Sequence, residues 1–362
     1  MANETITKVQ GVCIITVFIM GVFVVTNISS EAEQDTWVSL LLAAAGFIPL
    51  LLVYARITKL YPEKDIFQII GMLFGKVTAK ALTALLFWYC AHLFALVVRN
   101  LSDFINVISL PKTPFLPIMI IMVLVAAYIA KCGVECLGKW CVAALGILAL
   151  FVLVTVLLSL NKIDLTNIQP VLSHDAGAIA TTAFEQLTFP LAETVLFLGV
   201  ANAIKKTDSA RSIYMLGTAF GTLMLLTVII RNITLLGVPM SKAEYFSSYI
   251  AIRVISLGDV LTRMEGLISA NFILSAFTKS ALCLLVAAKA ASSLFGVRDY
   301  RKLVMPVGLF SLALSAILYK NVMEMFAFFK TYSYYALPFQ VGIPLIIWIK
   351  AEVRSRKAVK KA

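Results

Sequence analysis

Apolar runs closed by charges or turn residues divide the chain into ten segments, at roughly 8–27, 37–57, 79–102, 114–131, 139–160, 181–204, 212–235, 262–290, 302–319 and 335–350. A helix rising 1.5 Å per residue needs about 20 residues to cross about 30 Å of hydrocarbon. Most of the runs reach that length; the fourth, ninth and tenth are short. The pattern predicts an all-α membrane protein of about ten transmembrane helices, with both chain ends on one side. The longest stretches between runs are 57–78 and 236–261. In the second, Tyr245, Phe246, Tyr249, Ile250, Ile252, Arg253 and Ile255 recur at helical spacing. That spacing predicts an amphipathic helix at the outer interface, either a lid over a vestibule or a loop anchored among headgroups.

Composition agrees with the bilayer as solvent. The 362 residues are 61% hydrophobic and 14% charged, with mean hydropathy +0.95, whereas soluble domains are about one-quarter charged. The net charge of +12 raises nucleic acid as a partner, but the distribution of Lys and Arg gives a different reason for it. With the N-terminus inside, 21 of the 31 fall on inner segments and 9 on outer ones, with Lys279 inside a run. The positive-inside rule then puts both termini in the cytoplasm, and no nucleic-acid partner is expected. The first run, Val12 to Val25, has no small-residue cleavage site and reads as a span rather than a signal peptide. Cys132, Cys136 and Cys141 cluster near one inner loop without partner histidines, so neither a metal site nor a disulfide is expected.

The sixth run carries the densest chemistry. Thr188-Phe189-Pro190 and Glu193 lie inside it, with Glu185 one turn outward. Proline lacks an amide donor and clashes with the preceding turn, so the helix is expected to break near Thr188 or Phe189. Exposed backbone at that depth is tolerated beside protein or a water-filled cavity, and a mid-bilayer Glu193 needs a partner or a proton. The first run has a matching point at Met20-Gly21-Val22-Phe23, where Gly21 permits an unwound or closely approached backbone. Runs one and six each open a five-span half. Paired interruptions at corresponding places point to an inverted-repeat transporter with a site at the midplane. On this reading there is a single polytopic domain, 1–362. Its repeats cover about 8–160 and 181–350, and 351–362 is a basic cytoplasmic tail.

The eighth run places Asn271, Ser275, Thr278 and Lys279 on one stripe. Lys279 is expected to pair with Glu193 or Glu185, to serve as an internal cation in place of Na⁺, or to snorkel inward. In the third run Tyr89 is a candidate pocket wall, His92 lacks a second ligand, and Arg99 and Asp103 read as an interfacial i,i+4 pair. Arg263 and Glu265 read as outer anchors of the eighth run. No phosphate cradle, catalytic triad or zinc motif is present, so enzymatic activity and cofactors are not expected.

These passages resemble the B-subunit permeases of bacterial spore germinant receptors. The resemblance is carried by Lys8-Val9-Gln10-Gly11, by Gln34-Asp35-Thr36-Trp37-Val38-Ser39, and by Phe189-Pro190-Leu191-Ala192-Glu193-Thr194. It continues in Leu261-Thr262-Arg263-Met264-Glu265-Gly266 with Phe277-Thr278-Lys279. It extends over nearly the whole chain. It implies the amino acid–polyamine–organocation superfamily and a leucine-transporter-like fold with broken first and sixth spans. It also implies a spore inner-membrane subunit that binds a small germinant, an amino acid or a sugar, and acts with an A subunit and a C-subunit lipoprotein. The expected ligand-binding residues are Gly21, Val22, Tyr89, Thr188, Phe189, Pro190, Glu193, Ser275 and Lys279. The Gly-rich grip for a substrate carboxylate, typical of amino-acid transporters in the superfamily, is reduced here to Gly21. The rival readings are an ion-coupled amino-acid transporter and a structural subunit without a ligand.

Overall fold

The computed structural model describes residues 4–21, 31–108, 110, 112–205, 207–243, 246–255 and 265–359. Val22, Tyr245 and Arg263 lie outside the described residues. Among those described the architecture is helical, and its single β feature is a bridge between Ile6 and Ile204. Seven helical stretches are long and apolar enough to cross a membrane. The remaining three expected spans are α1 (Lys8–Met20), the broken sixth, and α11 (Arg301–Ile317).

Local chemistry sets the helix ends. A capping box opens α1: the Gln10 amide donates to Thr7 Oγ1 at 3.3 Å, and the Thr7 amide to Gln10 Oε1 at 2.9 Å, satisfying donors the helix start leaves free. The helix stops at Gly21, whose φ of +22° and ψ of −129° lie outside the helical region. The second span, α2, is Thr36–Leu60. The stretch between runs at 57–78 contains a short helix, α3 (Ile66–Leu73), capped by Asp65 and Gln68. It buries Ile66, Phe67, Ile69 and Ile70, an amphipathic face too short to stand out among apolar neighbours.

Spans three, four and five are α4 (Lys76–Ile108), α5 (Phe115–Cys132) and α6 (Val134–Ser159). The sixth is α7 (Ala176–Gln186), a π turn at Leu187–Leu191 and a 3₁₀ stretch at Ala192–Gly199. The seventh is α8 (Ala210–Ala243); α9 (Ser247–Ile255) follows, and the eighth is α10 (Glu265–Phe295). The tenth differs most from its sequence outline. It begins at Val322 rather than near 335 and runs as α12 (Val322–Leu337), a π turn at Pro338–Gly342 and α13 (Ile343–Val359). Tyr332 and Ser333 interrupt the hydropathy there, yet both face the interior and are buried. Lys330, assigned to an outer loop, therefore lies within this helix.

Packing centres on α10, which lies against α4, α5 and α6, while α1 lies against α8 and α6. The amphipathic α9 is present as expected. Phe246 and Tyr249 pack edge-on against Phe104 of α4, with centroids 5.1 and 6.3 Å away, and Phe104 meets Phe272 of α10 at 4.9 Å. The helix thus caps the Ile108 end of α4 and the Glu265 end of α10. Two further sequence assignments change. Arg99 and Asp103 do pair, at 3.1 Å, but inside the protein rather than at an interface. Arg231, counted with the outer loops, is buried in α8 and donates to Thr155 Oγ1 and Asn232 Oδ1. A hydropathy outline cannot distinguish a charge turned inward from one at a membrane surface.

Candidate functional site

The break in the sixth span forms where the sequence requires it. Pro190 contributes no amide, and Phe189 leaves the helical region at φ −137°, ψ 110°. Carbonyls around the break then need donors from elsewhere. Gln340 Nε2, in the π turn of span ten, donates to Thr188 O at 2.8 Å. Tyr54 OH of α2 donates to Gln340 O at 2.6 Å and lies 3.4 Å from Ala192 O. Thr188 Oγ1 donates to Ser333 Oγ at 2.8 Å. Irregular backbone of span six is thus held by side chains from α2 and span ten.

One turn beyond the break, Glu193 Oε2 forms an ion pair with Lys279 Nζ of α10, and both side chains are 0% exposed. Tyr332 OH donates to Glu193 Oε1 at 2.5 Å. Tyr89 OH lies 3.2 Å from Tyr332 OH and accepts from Gln340 Nε2 at 2.8 Å. The Lys279 ammonium also sits over the rings of Phe18 and Phe189, 5.0 and 4.7 Å from their centroids, an arrangement that stabilises a desolvated cation. The charges compensate each other inside the protein, as a buried pair must. Glu185, about two turns before Glu193, is half-buried, and Lys279 pairs with Glu193 instead.

Gly21 closes the site from span one. Ser275 Oγ donates to Gly21 O at 2.9 Å. A Cβ at Gly21 would fall 2.8 Å from Lys279 Cδ and 2.8 Å from Phe18 O, so the close approach depends on glycine. Asn271, one turn before Ser275, is fully buried, and among the described residues neither of its side-chain polar atoms nor Gln340 Oε1 has a hydrogen-bond partner. The stripe on α10 is therefore Asn271, Ser275 and Lys279. Thr278 turns to α6, where its hydroxyl accepts from Trp140 Nε1 at 3.0 Å.

The structure thus brings together Gly21, Tyr89, Thr188, Phe189, Pro190, Glu193, Ser275 and Lys279. The sequence reading omitted Tyr332, Gln340, Ser333 and Tyr54, which complete the hydrogen-bond circuit. Tyr332 and Gln340 carried a weak signal, as polar side chains eight residues apart in an apolar run; Tyr54 carried none. His92 stacks on Trp88 at 5.6 Å and takes no part in the circuit. Gln34 and Asp35 are committed to the loop that precedes α7, where Asp35 accepts from the amides of Leu172, Ser173 and His174. All six cysteines are free, and no metal-binding cluster occurs among the described residues.

A buried ion pair that joins a broken helix to a continuous one, with the end of α1 beside it, is transporter-like architecture, and comparison with known proteins agrees. The profile of the family described as "Spore germination protein" matches residues 5–324. The chain belongs to the spore germination permease family. Spore germination protein KB of Bacillus subtilis (strain 168) is 24% identical over 366 residues, covering 99% of this chain and 98% of that protein. Spore germination protein YndE of the same strain is 22% identical over 365 residues, covering 98% of each. Among solved structures, that of Mhp1, a nucleobase-cation-symport-1 family transporter, in a closed conformation with bromovinylhydantoin bound, matches with TM-score 0.71. Its identity is 14%, and the match covers 95% of this chain and 78% of that one. MhsT in complex with L-phenylalanine matches with TM-score 0.63 and 13% identity, covering 95% and 89%. This spore germination permease is thus a multi-pass membrane protein with the leucine-transporter-like fold.

Proposed function

We propose that this permease is the membrane-embedded sensing subunit of a nutrient germinant receptor. It binds a small amino acid or sugar at the midplane, between spans one, three, six, eight and ten. The observation that carries the reading is the buried Glu193–Lys279 pair set between the Pro190 break and the end of α1 at Gly21. Because the two charges neutralise each other, the site favours a ligand without net charge, a zwitterion or a polyol. Asn271 offers it a donor and an acceptor, and Gln340 Oε1 an acceptor. Gly21, Tyr89, Thr188, Phe189, Pro190 and Ser275 form the surrounding wall. The ligand stabilises one conformation by its differential affinity, and α9 serves as the outer lid. An A subunit and a C-subunit lipoprotein read the change. Both termini face the cytoplasm, and the membrane is the spore inner membrane.

Germination kinetics test the role of the pair. Spores carrying Glu193→Gln or Lys279→Met, with the subunit present at normal level, are expected to lose the nutrient response. A normal response in both rejects the assignment.

The fold neighbours favour a second reading, solute transport with Lys279 as internal cation, since MhsT holds L-phenylalanine in the same fold. Uptake of labelled amino acid into proteoliposomes distinguishes the two, because a sensor gives none.

A further inference from the structure

A cavity of about 1070 Å³ lies at the Leu60 end of α2. Its walls are the last turns of α2, the segment from Ala201 to Arg211 after the broken span, and α13 at Trp348 and Glu352. Four cations line it: Arg56, Lys59, Lys205 and Arg211. Three carboxylates do so as well: Glu63, Asp208 and Glu352. Arg56 and Glu352 are spent on each other, with Nε 2.5 Å from Oε1. Lys59, Lys205 and Arg211 are exposed and have no ion-pair partner within 4.0 Å among the described residues. Among the described residues the lining carries one net positive charge.

The remaining wall is apolar. Pro49, Leu52 and Val53 of α2 line the cavity on the way toward the membrane interior. Ile48 beside them, and Ile346 and Ile349 on α13, are large hydrophobic side chains exposed on the protein surface, as expected of a face that touches acyl chains. Trp348 stands at the boundary, the position tryptophan favours at a membrane interface. A soluble anion has no use for that aliphatic wall, and a zwitterionic lipid leaves the excess positive charge unmatched.

We infer that this cavity is a binding site for a phospholipid with a singly charged phosphodiester and a hydroxylated headgroup, of the phosphatidylglycerol type. Lys59, Lys205 and Arg211 meet the phosphate. Glu63, Asp208, Thr207 and Ser209 accept from the headgroup hydroxyls. The acyl chains leave along Pro49, Leu52 and Val53. The bound lipid abuts Ala201 and Ile204, at the end of the segment that carries Glu193.

Native mass spectrometry of the full chain in detergent, titrated with phosphatidylglycerol or phosphatidylcholine, tests this. Each basic side chain facing an anionic lipid is worth roughly fivefold in affinity. The variant Lys59→Gln/Lys205→Gln/Arg211→Gln is therefore expected to lose one tightly held phosphatidylglycerol by on the order of a hundredfold. The control Lys76→Gln/Lys80→Gln/Lys302→Gln has the same net charge and is expected to keep it. Lys59→Gln alone, a single exposed change, gives roughly the fivefold step. The site is rejected if both triple variants lose lipid equally, which marks bulk attraction, or if phosphatidylcholine binds as tightly. It is also rejected if glycerol 3-phosphate or inorganic phosphate displaces the lipid at matched concentration, which marks a soluble-anion site.

Discussion

Lys279 and Glu193 form an ion pair wholly inside the membrane domain, one from the unbroken eighth span and the other just past the break in the sixth. Neither charge has water to fall back on. Removing one partner strands the other, at a cost of about 3–5 kcal/mol. Thermal unfolding of the purified protein is expected to show Lys279→Met and Glu193→Gln each destabilised. The double variant Glu193→Gln/Lys279→Met should recover much of the loss. Additive losses in the double variant would show that the two residues act independently.

Tyr332 supplies the second hydrogen bond to Glu193 and relays it to Tyr89. Tyr332→Phe keeps the ring and removes one donor to a buried carboxylate. The expected cost is about 1.5–3 kcal/mol, the worth of a hydrogen bond to a charged group. Tyr335→Phe, at a neighbouring ring that makes no hydrogen bond to Glu193 or Tyr332, is expected to change the melting temperature little. Equal effects in the two variants would remove Tyr332 from the circuit.

Gly21 is a point of close approach between span one and α10. In Gly21→Ala the new methyl meets Lys279 Cδ, which can shift, and Phe18 O, which cannot. Overpacking of this kind costs about 1–3 kcal/mol, and the backbone angle adds strain. Gly71, where a Cβ would meet nothing within 4 Å, is the control. Gly71→Ala is expected to leave the melting temperature nearly unchanged while Gly21→Ala lowers it.

The break, the pair and the glycine were legible because each is a local anomaly: a proline, two intramembrane charges and a small residue in apolar runs. The partners were not. Tyr54 looks like an ordinary packing aromatic in a sequence, Tyr332 stands out only weakly beside Gln340, and both roles come from which helices the fold sets side by side. The start of span ten was misplaced because Tyr332 and Ser333 lower the local hydropathy while facing inward. Arg99 and Arg231 were set at the surface for the same reason: burial of a charge depends on neighbours that hydropathy does not contain.

The N-terminal segment offers a test of motion at the opposite end from α9. Glu4 accepts from the Val134 amide at 2.9 Å, from Tyr300 OH at 3.1 Å and from Arg301 Nη2 at 2.5 Å. Ile6 donates its amide to Ala203 O at 2.8 Å. One strand thereby ties the tail of span six to the loops between spans four and five and between spans eight and nine. Glu4→Gln is expected to speed amide exchange of residues 200–205 and of 131–134. Unchanged exchange in both segments would mean that the strap holds nothing closed.

The central claim, that a small uncharged or zwitterionic nutrient occupies the site around Glu193 and Lys279, is tested most directly by binding to the purified chain in nanodiscs. The twenty amino acids and common hexoses are screened by their effect on thermal unfolding. Saturation to 100 times Kd stabilises by about 2.7 kcal/mol. At least one compound is expected to raise the melting temperature saturably in the wild type and to have no effect on the Glu193→Gln/Lys279→Met variant. No shift with any compound, or the same shift in both proteins, would contradict the account.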